Sequence, residues 1–295
     1  MILYVNDKRL RFCVSASRLH ASQIESAWQL SISSRTLRLG VGQVAGSGAG
    51  KILPSKLAKE PMIEAVFEMR FESSAPVAAM LPGILYSKLT GSLSMEQLPP
   101  HAMPKEIRDA DPNFQHLPLT KCSWGNYWIL IGDRIFAVAS KLPYAGWADF
   151  RQKIEVAFGV ALETGMITTV NRCSIKYVDI LDAIPLTPSD CFNMNLAVGS
   201  IDGKDNFHVK VSAIQDGLTH TVQLISNAMT QLFDGRPLQG PLIDVDSIME
   251  IPAEDSGTFA SKLVGRANVL HAANKKTVFD AISELALKHL EPSYE

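Results

Sequence analysis

The sequence is poor in the features that mark secreted, membrane and metal-binding proteins. Its four cysteines, at positions 13, 122, 173 and 191, lie far apart and form no C-x-x-C pair, which argues against a zinc site or a disulfide framework. Its densest apolar runs, such as YWILI, are strand-sized and shorter than the roughly 20 residues that cross a bilayer. The opening MILYVNDKRLRF lacks the basic-then-apolar layout of a secretory signal. We therefore predict a cytoplasmic protein with reduced thiols, no cofactor, no metal site and no membrane partner.

The composition is that of a folded globular protein, but the charge is unevenly distributed. Hydrophobic residues make up 46% and charged residues 20% of the chain, which argues against a disordered or fibrous class. Residues 1–60 contain nine Lys and Arg against three Asp and Glu, and the remainder contains 19 against 27. A negatively charged body argues against general nucleic-acid binding, because phosphates repel it. Scattered basic residues near the start leave nucleic-acid binding only as a weak alternative.

A glycine-rich stretch, AGSGAGK, invites comparison with a phosphate-binding loop. That loop follows the pattern G-x-x-x-x-G-K-[ST], in which backbone amides wrap phosphates and the hydroxyl binds magnesium. Gly50 and Lys51 fit, but Ala45 occupies the first position and Ile52 the hydroxyl position. Pro54 follows, where the phosphate-binding helix would begin. The stretch is therefore interpreted as a flexible linker.

This linker separates an N-terminal segment from the body of the protein. Residues 1–55 are rich in serine and arginine and poor in acidic residues, which predicts a flexible extension or a misassigned start. The body is predicted to form two α+β domains, 56–184 and 185–295. The boundary is placed where Pro185 and Pro188 follow a long apolar strand.

The body is predicted to pack around residues 121–182. Two apolar runs separated by Gly132-Asp133 predict a β-hairpin, since glycine accepts positive φ. Apolar residues then recur at three- and four-residue spacing over 147–163, which is typical of a helix with one buried stripe. Gly165 follows its end, and TTVNRCSIKYVDIL has the length and β-branched content of a strand.

The remaining elements complete an α+β fold with antiparallel or mixed sheets and helices on one side. Alternation over 62–71, with Ile63, Ala65 and Phe67 facing one way, predicts a strand with one buried and one wet face. A helix over 76–89, despite Pro82, and a long proline-rich surface connection over 91–119 follow. The first half thus has the ferredoxin-like order β-α-β-β-α-β. The second half is predicted to form a four-strand sheet followed by C-terminal helices. This sheet contains a hairpin that turns at 216–217 and a strand over 243–251.

Two stretches carry a resemblance to a known family. KLAKEPMIEAVFEMRF resembles the first strand of an uncharacterised, sporadically distributed prokaryotic family, in which Lys-Leu, Pro and Glu-Ala-Val-Phe-Glu recur. VNRCSIKYVDIL is similar to a later strand of that family, although Ser174 and Asp179 depart from its usual residues, and LHAANKKTVFDAISE is similar to its C-terminal helix. The resemblance covers residues 56–295. It implies a cytoplasmic accessory protein of unknown activity, without established catalytic residues, in a defence-related or mobile genetic setting.

His208 and His220 are candidates for a metal pair. If Asp216-Gly217 is a two-residue turn, His220 lies opposite Ala213, and His208 points to the other face of the hairpin. The two imidazoles then cannot meet, so the sequence predicts no shared metal. His271, which lies near two lysines, is interpreted as part of a polar helix face.

Asp244 and Asp246 are the candidates for catalysis. They share one face of a predicted strand, and paired carboxylates can hold magnesium for hydrolysis. Acidic residues at alternate strand positions more often form a solvated face. Cys122 and Cys173 lack the local signature of a nucleophile. The sequence therefore favours a protein that is not an enzyme, and the alternative is a metal-dependent hydrolase that uses this Asp cluster.

Arg172 and Lys176 are the candidate binding residues. They share the solvent-exposed face of the strand VNRCSIKYVDIL. Trp124 and Tyr127 of the first hairpin are predicted to lie beside them. Charged and aromatic side chains together are typical of protein-binding hot spots. The alternative is that Arg172 and Lys176 form ordinary exposed ion pairs with acidic residues of the first strand. We expect a non-catalytic binding or regulatory protein, in a defence or toxin–antitoxin setting, whose partner is another protein. The oligomeric state stays open.

Overall fold

One large antiparallel sheet organises the protein. The structure, a computed structural model, describes residues 3–5, 8–10, 52–91, 93–232 and 235–294, the first two segments as backbone only. The strands, in chain order, are β1 Leu3–Val5, β2 Lys8–Leu10, β3 Lys56–Leu57, β4 Met62–Ser73, β5 Leu93–Gln97, β6 Thr120–Trp124, β7 Tyr127–Ile131, β8 Ile135–Ser140, β9 Ile167–Ile180, β10 Ala197–Val198, β11 Ile201–Asp202, β12 His208–Gln215, β13 Leu218–Gln231, β14 Pro237–Asp255 and β15 Pro292–Ser293. The α-helices are α1 Val77–Lys88, α2 Lys105–Ala110, α3 Trp147–Glu163, α4 Ser256–Ala281 and α5 Glu284–His289.

The long strands from both halves of the chain belong to the same sheet. Its order is β2-β1-β13-β14-β9-β4-β8-β7-β6-β5, and β12 also pairs with β13. β9 lies between β4 and β14 and is antiparallel to both. Val178 is therefore the neighbour of Glu64 on one side and of Asp244 on the other. This pairing joins residues that are far apart in the sequence.

Three helices cover one face of this sheet. Helix α3 buries Phe150, Ile154 and Phe158, which recur at helical spacing, and the Phe158 ring meets Phe67 of β4 edge-on at 5.1 Å. α1 packs beside α3, and α4 packs across β9 and β14. Burying each large apolar side chain contributes about 1.5–3 kcal/mol. The main hydrophobic core therefore lies between the sheet and these helices.

A buried asparagine fixes α4 to the centre of the sheet. Asn274 is fully buried, and its Nδ2 donates to the carbonyl oxygens of Ile175 in β9 and Val245 in β14, at 3.0 and 2.8 Å. A buried polar side chain is tolerated only where such bonds compensate its lost hydration. Asn274 therefore sets where α4 lies over the β9–β14 pair.

Several predictions from the sequence are confirmed. The fold is α+β with a large antiparallel sheet, and α3 has the predicted bounds Trp147–Glu163. The first hairpin turns at Gly132-Asp133 between β7 and β8. The second turns at Asp216-Gly217, where φ values of 51° and 79° require residues that tolerate the left-handed region. No helix among the described residues is long and apolar enough to cross a membrane.

Other predictions are wrong. The second half does not form a separate four-strand sheet, because β14 pairs with β9 from Leu242 to Glu250 and again at Glu254 and Asp255. Strands from both sides of the predicted boundary at 184/185 thus share one sheet, and the division into two domains stays a prediction. The proline-rich connection over 91–119 contains β5 and α2, so the first half is not simply β-α-β-β-α-β. Most of the predicted extension, residues 1–55, lies outside the described residues.

The strand predicted over 62–71 has a local irregularity. The register between β4 and β9 shifts between Met62 and Glu64, which marks a bulge at Ile63. Ile63 therefore packs with Val178 and Ile180 on the face opposite the helices, and not with Ala65 and Phe67 as the alternation predicted.

We predict that Asn274→Leu lowers the free energy of unfolding by about 1–3 kcal/mol, because two buried carbonyls lose a donor. Equilibrium urea unfolding measures the change. Lys276→Ala, which removes an exposed i,i+4 pair with Asp280 on the same helix, is the control and should cost at most about 0.5 kcal/mol. Equal losses for the two variants would contradict the role given to Asn274.

Candidate binding face

Three neighbouring strands bring charged side chains together on the sheet face opposite α1, α3 and α4. Alternate residues of a strand point to opposite faces. Because Cys173, Ile175 and Tyr177 of β9 lie in the core, Arg172 and Lys176 point away from it. The charged face, as we name it, consists of these two residues with Glu64, Glu68 and Arg70 of β4 and Asp244 and Asp246 of β14.

Each cation of the charged face has a carboxylate partner within it. The pairs are Lys176–Glu64 at 2.6 Å, Arg70–Glu68 at 2.7 Å and Arg172–Asp246 at 3.4 Å. The Glu64 side chain is 9% exposed and that of Arg172 is 17% exposed. The predicted ion pairing with the first strand is therefore present between Lys176 and Glu64, but the pair is partly buried rather than exposed. That Arg172 and Lys176 bind a partner stays a prediction.

Trp124 and Tyr127 do not rim the two cations. Both are buried in the core on the helix side of the sheet. Trp124 Nε1 donates to the Thr90 carbonyl at 3.0 Å, and the Tyr127 hydroxyl donates to Asp149 of α3 at 2.5 Å. The prediction is wrong because residue spacing assigns Trp124 and Tyr127 to strands but does not show whether they lie on the same face of the sheet as Arg172 and Lys176. Trp128, next to Tyr127, points to the other face, where Lys121 and Lys141 lie over its ring.

Burial and mutual repulsion change the proton affinity of the acidic residues here. Burial raises the pKa of Asp244 to about 6, opposed by the Lys176 ammonium and assisted by the Glu64 carboxylate. Burial also raises the pKa of Asp246, although the Arg172 guanidinium opposes it. Burial disfavours the Lys176 ammonium, yet Glu64 and Asp244 together keep its pKa above the ordinary value. The face therefore carries a lysine that stays charged and an aspartate that gains a proton at mildly acidic pH.

Asp244 and Asp246 lie on one face of β14, as predicted, and each interacts with a cation. Lys176 acts on Asp244, and Arg172 pairs with Asp246. Within the described part of the chain, no group of three or more His, Cys, Asp or Glu side chains is arranged to hold a metal ion. Lysine and arginine thus compensate carboxylates that a hydrolase would use as metal ligands.

The histidines of the second hairpin point to opposite faces, as predicted. His220 pairs with Ala213 across the hairpin, and its Nδ1 lies 2.9 Å from the Ser247 hydroxyl on the helix side. His208 lies on the opposite face and is exposed. Cys122 and Cys173 are buried, and burial raises the pKa of each thiol, to about 11 and about 12. Thiols in this state are poor nucleophiles at neutral pH.

One polar cluster escaped the sequence analysis. His271 was interpreted as part of a polar helix face, but its ring stacks on Trp147 at 4.1 Å and its Nδ1 lies 2.8 Å from the Tyr177 hydroxyl. Burial, and then Lys275, lowers its pKa to about 4. The helical period over α4 places His271 one turn from the buried Ala267 and Asn274 and could have indicated this.

Sequence comparisons with known proteins find no match. No protein-family model matches the chain, and no curated protein matches it in sequence. The resemblance of KLAKEPMIEAVFEMRF and VNRCSIKYVDIL to an uncharacterised prokaryotic family stays a prediction. The arrangement of the charged face therefore carries the functional argument.

We predict that Lys176→Met lowers the free energy of unfolding by about 3–5 kcal/mol, because it leaves the Glu64 carboxylate buried without its cation. The double variant Glu64→Gln/Lys176→Met should recover most of that loss. Lys59→Met is the matched control, since its pair with Glu291 has both side chains more than half exposed and should be worth less than about 1 kcal/mol. Urea unfolding of the wild type and the three variants provides the test, and a double variant that is no more stable than Lys176→Met would contradict it.

A second prediction concerns pH. The pKa of Asp244 is raised in the folded state, so folding favours its protonated form; this stabilisation is complete near pH 4 and is lost as the pH rises through about 6. Between pH 4 and 8 the wild type should lose about 2–3 kcal/mol relative to Asp244→Asn, which has no proton to lose. Unfolding free energies of both proteins across this range measure the difference. Parallel pH profiles would show that Asp244 ionises normally.

Proposed function

We propose that this protein is a non-catalytic binding protein and that the charged face engages a protein partner. The observation that carries the proposal is the arrangement of three partly buried ion pairs on the sheet face opposite α1, α3 and α4. Charges held on paired strands lose little conformational freedom on binding, which favours a specific complex. Mixed charges mainly set which partner is accepted and how fast it associates.

The chemistry of the charged face favours a protein over a nucleic acid. It presents four carboxylates against three cations, so it lacks the excess of positive charge that binding to a phosphate backbone needs. Arg172 Nε and Asp246 Oδ1 are buried and lack a hydrogen-bond partner among the described residues. Because both atoms are shielded from solvent, a partner would meet the outer edges of this ion pair rather than these two atoms.

The setting of this activity belongs to the proposal as well. The resemblance implies a cytoplasmic accessory protein, and a defence or toxin–antitoxin system is the setting that its patchy distribution favours. A binding protein that holds another protein in check fits that role without any catalytic group.

A metal-dependent hydrolase at Asp244 and Asp246 is the second candidate. The raised pKa of Asp244 supports it, because acids with raised pKa values are common at catalytic sites. The ion pair between Arg172 and Asp246 favours the binding function, since a guanidinium already compensates that carboxylate.

Co-purification from the native host, followed by mass spectrometry, tests the proposal. We predict that a partner retained by the wild type is retained at least tenfold less by Arg172→Met/Asp246→Asn, a loss of about 1.4 kcal/mol or more. The control Lys59→Met/Glu291→Gln neutralises a remote pair and should retain the partner fully. Both double variants must first show a wild-type circular dichroism spectrum.

Two results would contradict the proposal. The charged face is not the binding surface if Arg172→Met/Asp246→Asn keeps the partner at the wild-type level. Hydrolysis of nucleotides, phosphodiesters or esters by the purified protein with added magnesium, abolished by Asp244→Ala, would instead establish the hydrolase.

A further inference from the structure

The strand β12 forms an exposed edge of the sheet. It pairs with β13 over its whole length, from His208–Ile225 to Gln215–Leu218, without a register shift. No strand among the described residues pairs with its other edge. Apart from the half-buried Val209, all of its residues are exposed, and the apolar Val211 and Ile214 are 54% and 79% exposed. These two side chains point to opposite faces of the sheet, so both faces are uncovered here.

The hydrogen-bonding pattern shows which backbone groups point outward. Ser226 N donates to the Phe207 carbonyl just before β12 begins, so Phe207 faces β13 with its N–H and C=O. In an antiparallel pair this orientation alternates. Val209, Val211 and Ala213 therefore bond to β13. The intervening residues direct their N–H and C=O groups to the open edge, and they are His208, Lys210, Ser212 and Ile214.

This edge lacks the devices that protect edge strands. Proteins block such edges with prolines, bulges, short strands or several charges. β12 has eight residues, with no proline, no glycine, no bulge and Lys210 as its one full charge. β5 at the other end of the sheet is protected: it has five residues, its Glu96 pairs with Lys121, and Pro99-Pro100 follow it closely.

We propose that β12 is the pairing edge of a homodimer, in which a second copy of this chain adds its own β12 in antiparallel orientation. The pairing is centred on Ser212, so that Ser212 of one copy lies opposite Ser212 of the other. Antiparallel pairing brings Lys210 of one copy close to the Asp216 turn of the other, twice by symmetry. Parallel pairing would instead bring lysine close to lysine and aspartate close to aspartate. The two-fold axis stands perpendicular to the sheet, so the helices of both copies lie on the same side.

This pairing explains the two exposed apolar residues. The second strand would cover Val211 on the helix side and Ile214 on the charged side. The charged faces of the two copies would then lie on the same side of one continuous sheet, separated by β12 and β13 of each copy. The inference rests on the geometry of β12 alone and is independent of what the charged face binds.

Sedimentation equilibrium of the full chain at increasing concentration tests the proposal. We expect the wild type to reach twice the chain mass and Ser212→Pro to remain at the single-chain mass. Proline at 212 removes an outward N–H in the middle of the edge and no bond to β13. Ser212→Ala loses only the hydroxyl contact with Thr221 at 3.0 Å and should dimerise as the wild type does.

Ile214→Lys provides a second variant that leaves the backbone unchanged. It places a charge on the open edge and should weaken dimerisation at least tenfold. Circular dichroism confirms that each variant is folded. A single-chain mass for the wild type at every concentration would overturn the proposal. So would folded Ser212→Pro and Ile214→Lys proteins that dimerise as tightly as the wild type.

Discussion

The register of β9 between β4 and β14 is the constraint on which the rest of the structure depends. It pairs Val178 with Glu64 on one side and with Asp244 on the other, and it pairs Lys176 with Asp246. A slip of one residue would turn Cys173, Ile175 and Tyr177 out of the core and bury Arg172 and Lys176 beneath the helices. The apolar face of β9 thus fixes the register, and the register in turn assembles the charged face.

The same strand pairing explains why the ion pairs differ from ordinary surface pairs. Their side chains stand on central strands, and neighbouring strands on both sides remove much of their access to water. Attraction between charges grows as water is removed, but the cost of leaving one of them unpaired grows faster. Arg172, Lys176 and their carboxylates are therefore strongly coupled to each other and to stability. An exposed pair such as Lys59–Glu291 lacks this coupling.

Much of the local structure could be predicted from the sequence. The helical stripe of α3 and the turn at Asp216-Gly217 depend on residues close together in the chain, and they form as expected. The hairpin at Gly132-Asp133 also forms, although Gly132 does not adopt the positive φ expected of it. The opposed faces of His208 and His220 also followed from one turn. Such features need no knowledge of distant strands.

The candidate site was only partly predictable, because its geometry is non-local. Arg172 and Lys176 were recognised as one face, and pairing with acidic residues of the first strand was predicted, as Lys176 and Glu64 show. The pairing of Arg172 with Asp246 of β14 could not be derived from spacing. Trp124 and Tyr127 were assigned to that face and lie in the core instead, since alternation says nothing about how separate strands are aligned. The bulge at Ile63 also had no signal in the regular pattern around it.

Strand pairing, in our interpretation, holds the charged face as a partly buried network. The titration of the Asp244 carboxyl group tests this most directly. Carbon-13 NMR of the aspartate carboxyl groups, with Asp244→Asn for assignment, gives the midpoint. We expect a midpoint at about pH 6. A midpoint at the ordinary aspartate pKa of about 4 would contradict it, because Asp244 would then be solvated and the charged face would be an ordinary exposed surface.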